Sequence, residues 1–86
     1  MIVYSRGVMM SQMGRHDEAL ADYDRALALR PAYAEVYNNR ANTLREMGRL
    51  DEALADIDKA LGLTPRFRDA LHNRGNILQA LKRYED

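Results

Sequence analysis

Apolar residues between positions 34 and 65 recur at helical spacing in two successive segments. In the first segment, Val36, Tyr37, Ala41 and Leu44 fall on one face of a helix. Gly48 follows this segment, at the point where a left-handed C-terminal cap needs a residue without a Cβ. The apolar positions of the second segment are Ala53, Leu54, Ile57, Ala60 and Leu61. The pattern therefore predicts two amphipathic helices joined by a short turn.

The second predicted helix has recognisable start and stop signals. Asp51 and Glu52 place carboxylates in its first turn, where the helix dipole favours negative charge. Pro65 ends the helix, because proline lacks the backbone N–H and restricts the residue before it. The same signals stand 34 residues earlier at Asp17 and Pro31, which indicates that the two-helix unit is repeated.

The repeat is explicit in the sequence. "MGRHDEALADYDRALALRP" at residues 13–31 returns as "MGRLDEALADIDKALGLTP" at residues 47–65, with fourteen of nineteen positions identical. "YNNRANTL" at residues 37–44 similarly matches "LHNRGNIL" at residues 71–78. A fixed period of this size is typical of a solenoid. We expect a single domain over residues 1–86, with repeats at 1–33 and 34–67 and a partial third repeat at 68–86.

The repeated unit resembles the tetratricopeptide repeat. The positions that carry the resemblance in the middle unit are Tyr37, Ala41, Leu44, Gly48, Ala53, Ile57, Ala60 and Pro65. The resemblance implies an all-α solenoid of about five antiparallel helices. It also implies that the first helix of each unit, helix A, lines a concave groove, while the second, helix B, forms the convex back. Such a groove receives an extended peptide or a helix of a protein partner, so we expect a non-catalytic binding scaffold rather than an enzyme.

The composition of the chain argues against several other functions. Thirteen basic and thirteen acidic residues cancel, so there is no excess positive charge to bind a nucleic acid or an anionic membrane. The chain has no cysteine, which fits a reducing compartment, and we expect it to be cytoplasmic. Its two histidines occupy unrelated repeat positions without the spacing of a metal site. We therefore expect no metal, no cofactor and no catalytic residue.

Asparagines dominate the predicted groove. Asn39 and Asn73 are equivalent by the period of 34, as are Asn42 and Asn76, which makes two rows of amides. An amide has both donor and acceptor groups, so it can pair with a peptide backbone without reading its side chains. The arrangement resembles the asparagine ladder of O-linked N-acetylglucosamine transferases and their bacterial relatives, although duplication alone also explains it. The full predicted groove set is Tyr4, Asn38, Asn39, Asn42, Arg45, His72, Asn73 and Asn76.

Arginine stands in each A helix at a position where the family pattern has leucine. These residues are Arg6, Arg40 and Arg74. A guanidinium there needs acidic partners, and the B helices offer Asp22, Asp24, Asp56 and Asp58. We expect structural ion pairs within or between repeats, and a ligand-binding role for the arginines is the alternative.

The end of the third unit departs from the repeat. Lys82 takes the place of the turn glycine, which leaves the geometry of the third turn open, and Tyr84 matches Leu50 at the start of a predicted third helix B. Because that helix has no body, we expect Leu71, Leu78 and Leu81 to be partly uncovered and the chain to form homo-oligomers. Two further hypotheses are that the repeats belong to a larger enzyme such as a glycosyltransferase, or that they are purely structural and self-assemble.

Overall fold

The computed structural model describes residues 15–85, with side chains as far as residue 83. These residues form four α-helices: α1 (His16–Leu29), α2 (Ala34–Glu46), α3 (Leu50–Leu63) and α4 (Arg68–Glu85). In the terms of the repeat, α1 and α3 are B helices, and α2 and α4 are A helices. The sequence predicted about five helices. The described residues form four, and the predicted helix A of the first unit lies outside them, as do Tyr4 and Arg6.

Both B helices begin in the same way. Arg15 pairs with Glu18 at 2.6 Å before α1, and Arg49 pairs with Glu52 at 2.5 Å before α3. Each glutamate lies in the first turn, near the exposed N–H groups of the helix start. Exposed pairs of this kind stabilise by only about 0.2–1 kcal/mol.

The turn between α2 and α3 is the one predicted from Gly48. This residue has a φ of +80°, and the helix ends in two characteristic hydrogen bonds. The N–H of Gly48 donates to the carbonyl of Arg45 at 3.0 Å, and the N–H of Arg49 donates to the carbonyl of Leu44 at 2.9 Å. This is the Schellman motif, in which a left-handed residue satisfies carbonyls that the helix leaves free. Glycine adopts that conformation without the steric penalty of a Cβ.

The core is continuous from one repeat to the next. The first cluster joins α1 to α2 through Ala19, Tyr23, Ala26, Leu27 and Val36. The second joins α2, α3 and α4 and contains Ala41, Leu44, Leu50, Ala53, Ile57, Ala60, Ala70 and Ile77. Tyr37 of α2 packs against both clusters. Because each helix completes the core of its neighbour, the repeats form one solenoid, as the sequence predicted.

As far as residue 85, the structure shows no third turn. Helix α4 continues through Lys82 to Glu85, where the repeat pattern placed a turn and the start of another helix B. The second unit turns at Gly48, which has a left-handed backbone conformation. At its equivalent, Lys82, the same conformation would cost about 1–2 kcal/mol because lysine has a Cβ. Continuing the helix avoids that cost.

One face of α4 lacks the cover that the equivalent face of α2 receives. Leu44 is buried in the core with Ala41 and Ala53, whereas its repeat equivalent Leu78 is 39% exposed and Leu71 is 50% exposed. A Cβ added to Gly75, the equivalent of Ala41, would meet no atom within 4 Å. The structure therefore leaves Leu71, Gly75 and Leu78 as an open apolar strip; the third predicted member, Leu81, is half-buried.

Candidate functional site

The two described A helices, α2 and α4, pack against each other and against α3. Among the predicted groove residues on them, Asn39, Asn42, Arg45 and Asn76 are half-buried, and His72 is exposed. The oxygen Oδ1 of Asn42 is buried and has no hydrogen-bond partner among the described residues. Half-buried amides therefore lie on two adjacent A helices, and a role for Asn39, Asn42 and Asn76 in binding stays a prediction.

Two of the predicted groove residues have a different role. Asn38 and Asn73 are only 5% and 7% exposed, and Nδ2 of Asn73 donates to Oδ1 of Asn38 at 2.7 Å. The sequence placed both residues in the groove; the structure nearly buries both, and only Asn38 also lines a cleft at the surface. The physical reason is the close approach of α2 and α4, which buries the two amides and makes their mutual hydrogen bond necessary. Asn73 therefore differs in burial from Asn39, its equivalent in the repeat.

The buried amide pair is only partly satisfied. The 2.7 Å bond uses one hydrogen of Asn73 and one oxygen lone-pair site of Asn38. It leaves the amide nitrogen of Asn38 without a partner in the described part of the chain. That nitrogen is not among the fully enclosed side-chain atoms that lack partners. Asn38 therefore offers an unused donor at the surface of a nearly buried side chain.

Asn38 lies in the wall of a small acidic cleft. The cleft has a volume of about 260 Å³ and is lined by Glu35, Asn38, Asn39, Phe67 and Asp69. Glu35 and Asp69 stand in the first turns of α2 and α4, respectively, and both are exposed. Sequence reasoning missed Phe67. The repeat could have indicated this residue, because the aromatic Tyr33 stands at the equivalent position 34 residues earlier.

A second cleft adjoins the first at the loops that precede α2 and α4. Glu35 and Phe67 line both clefts. In the second cleft the guanidinium of Arg30 lies over the ring of Tyr33, 4.5 Å from its centroid. This cation–π contact is favourable because the face of an aromatic ring attracts a positive charge.

Arg40 holds together three successive helices. From α2 it donates to both carboxylate oxygens of Asp56 on α3, each at 2.8 Å, and to Asp24 on α1 at 2.7 Å. It also lies 5.5 Å from the ring centroid of Tyr37. The hydrogen bonds to Asp56 are the largest influence on Arg40 and raise the pKa of its guanidinium above the usual value. Arg40 therefore stays charged, with two acidic partners that the sequence had placed among its candidates.

Arg74 makes only part of the equivalent arrangement. Its Nε donates to Asp58 at 3.1 Å, which is the repeat equivalent of the Arg40–Asp24 pair, but both side chains are largely exposed. The position equivalent to Asp56 lies beyond residue 86. Asp22, the remaining predicted acid, is buried and pairs with Arg25 on its own helix at 3.3 Å.

The described part of the chain contains no group of three or more acidic, histidine or cysteine side chains placed to hold a metal ion. Within the same residues, no helix is both long enough and apolar enough to cross a membrane.

The fold defines a helical repeat protein. Two family models match the chain: one described as TPR repeat at residues 10–44, and one described as Tetratricopeptide repeat at residues 34–67. The chain therefore contains tetratricopeptide repeats, as the sequence predicted. No curated protein matches it.

Solved structures share the same fold. The second TPR of Spaghetti (RPAP3), bound to HSP90 peptide SRMEEVD, is 26% identical with a TM-score of 0.89, covering 94% of this chain and 75% of that one. The Arabidopsis OM64 TPR domain is 26% identical with a TM-score of 0.90, covering 98% of this chain and 69% of that one.

The first TPR of Spaghetti, bound to the same peptide, is 24% identical with a TM-score of 0.91, covering 98% of this chain and 68% of that one. At this identity the likeness shows the fold alone.

Proposed function

We propose that this chain is a non-catalytic scaffold that binds an extended peptide segment of a protein partner in the groove lined by its A helices. The proposal rests on the half-buried amides of two adjacent A helices, which are Asn39 and Asn42 on α2 and Asn76 on α4. Each amide can both donate to and accept from a peptide backbone. The oxygen of the Asn42 amide is buried and has no hydrogen-bond partner among the described residues.

The structural neighbours support this use of the fold. The second TPR of Spaghetti, at 26% identity, is bound to a heptapeptide of HSP90. We do not expect this chain to bind that peptide, because the three acidic residues of the peptide would meet Glu35 and Asp69 near the groove. The three structures described above give no support to the more specific resemblance to O-linked N-acetylglucosamine transferases, and the proposal does not depend on it.

We also propose that copies of the chain associate through the open strip of Leu71, Gly75 and Leu78. The equivalent strip of α2 is covered by α3, and the small residue at its centre allows close helix packing. A second copy that presents the same strip would cover both at once in a two-fold arrangement. The cytoplasmic location stays a prediction based on the absence of cysteine.

Alanine replacement tests the groove. Asn39, Asn42 and Asn76 are changed together to alanine, and binding of a peptide selected by the parent chain is measured by fluorescence anisotropy. We expect a loss of roughly 0.5–1.5 kcal/mol for each hydrogen bond removed, with unchanged helicity. The matched control changes the exposed Asp17, Asp51 and Lys59 of the B helices to alanine and should bind as the parent does. Unchanged affinity of the asparagine variant would refute the proposal that these asparagines bind the peptide.

A further inference from the structure

The acidic cleft combines features that suit one kind of ligand group. Its lining residues include two carboxylates, Glu35 and Asp69, an aromatic wall, Phe67, and no basic side chain. Neither carboxylate has a hydrogen bond or ion pair in the described part of the chain. Two unpaired carboxylates at one cleft attract a cation, and an aromatic ring beside them packs well against an aliphatic stem.

Asn38 is an independent indication that the cleft receives a ligand. Its side chain is 5% exposed, it lines the cleft, and its amide nitrogen has no partner among the described residues. Because that nitrogen is not fully enclosed, a carbonyl oxygen of a bound peptide can accept a hydrogen bond from it. The cleft thus presents a donor for a peptide carbonyl next to carboxylates for a positive charge.

We propose that the cleft of Glu35, Asn38, Asn39, Phe67 and Asp69 binds a lysine or arginine side chain of the partner peptide. The cationic end lies at Glu35 and Asp69, the aliphatic stem packs on Phe67, and Nδ2 of Asn38 donates to a backbone carbonyl of the peptide. This inference rests on the proposed peptide-binding function and gives it a specificity.

In the neighbouring cleft, a cation of the chain itself lies on the equivalent aromatic ring. There, Arg30 lies over the ring of Tyr33, the repeat equivalent of Phe67, and Glu35 lines that cleft as well. A cation therefore already occupies the aromatic position of the preceding unit. The peptide SRMEEVD held by the Spaghetti domains carries three acidic side chains. Such a peptide would be repelled at this cleft unless it placed its arginine there.

The test is a peptide array of random dodecamers probed with the full chain. We expect the captured peptides to be enriched in lysine or arginine at one position. Replacing that residue by norleucine, which keeps the aliphatic stem, should weaken binding roughly tenfold, as loss of one charge-assisted contact does. The loss should shrink as salt is raised, because salt screens exposed charges.

Variants of the chain assign the effect to the cleft. Glu35→Gln with Asp69→Asn should reduce affinity for the basic peptide roughly tenfold and leave the norleucine peptide unaffected. The control, Asp17→Asn with Asp51→Asn, removes first-turn carboxylates from the B helices and the same net charge. It should change affinity less than about twofold.

The possible outcomes distinguish failure of this inference from failure of the proposed peptide-binding function. If the array captures no peptide, the proposed function fails and the inference fails with it. If peptides are captured without basic enrichment, or if norleucine binds as well as lysine on the parent chain, only the inference is overturned. The same holds if both pairs of variants reduce affinity equally. The norleucine comparison uses the unaltered protein, so it decides the matter even if a variant is poorly folded.

Discussion

Replacing Asp56 by asparagine should destabilise the fold strongly, because Arg40 would lose its principal partner. Both carboxylate oxygens of Asp56 accept hydrogen bonds from Arg40 at 2.8 Å, and Asp56 is buried. Asparagine keeps the shape but removes the charge and presents an NH2 group to a donor. Complete loss of a buried partner costs about 3–5 kcal/mol. Arg40 keeps Asp24 and some contact with solvent, so the value expected is that of hydrogen bonds to a charged group, about 1.5–3 kcal/mol.

Asp58→Asn is the matched control, because the pair of Asp58 with Arg74 is largely exposed. Its loss should cost no more than about 1 kcal/mol. Thermal unfolding followed by circular dichroism at 222 nm measures both variants. For a domain of this size, about 2 kcal/mol corresponds to a fall of about 8–16 °C in Tm. Replacing the pair as a whole, with Arg40→Met and Asp56→Leu, should cost less than Asp56→Asn alone, since no unpaired buried charge remains.

An Asp56→Asn variant within about 0.5 kcal/mol of the parent would refute this reasoning, since surface pairs commonly have effects of that size. It would mean that water, rather than Asp56, satisfies Arg40.

Two further predictions concern the turn glycine and the open strip of α4. Gly48→Ala should destabilise by about 1–2 kcal/mol because φ is +80°, whereas Gly75→Ala, in open helix interior, should stabilise by about 0.5–1 kcal/mol; urea unfolding of both checks this, and equal effects would contradict it. Size exclusion with light scattering should show a dimer or larger assembly at micromolar concentration and above, shifted towards monomer by Leu71→Gln with Leu78→Gln; a parent chain that stays at the 9.9 kDa of one copy would exclude association.

Local features of the fold could be read from the sequence because neighbouring residues determine them. Gly48 fixes the Schellman turn within a few residues, and Pro65 follows a helix that ends at Leu63. The period of 34 then carries the same packing into each unit, so that Ala41 and Ala53 were correctly placed in the core.

Other features depend on contacts that a repeat pattern does not contain. The hydrogen bond between Asn38 and Asn73 joins positions 35 residues apart, one more than the period, so comparing equivalent residues could not reveal it. Phe67 was missed because it lies in a loop before α4 and belongs to no helical stripe. The continuation of α4 through Lys82 follows from the loss of a single glycine, which changes the local backbone while the apolar spacing stays the same.

An NMR titration tests whether the A helices form the peptide-binding surface. The chain is labelled with 15N and titrated with a peptide selected on the array. We expect the side-chain amide signals of Asn39, Asn42 and Asn76 to shift together with backbone signals of α2 and α4, while exposed positions of α1 and α3 stay unchanged. Shifts confined to α1 and α3, with the asparagine amides unmoved, would contradict it.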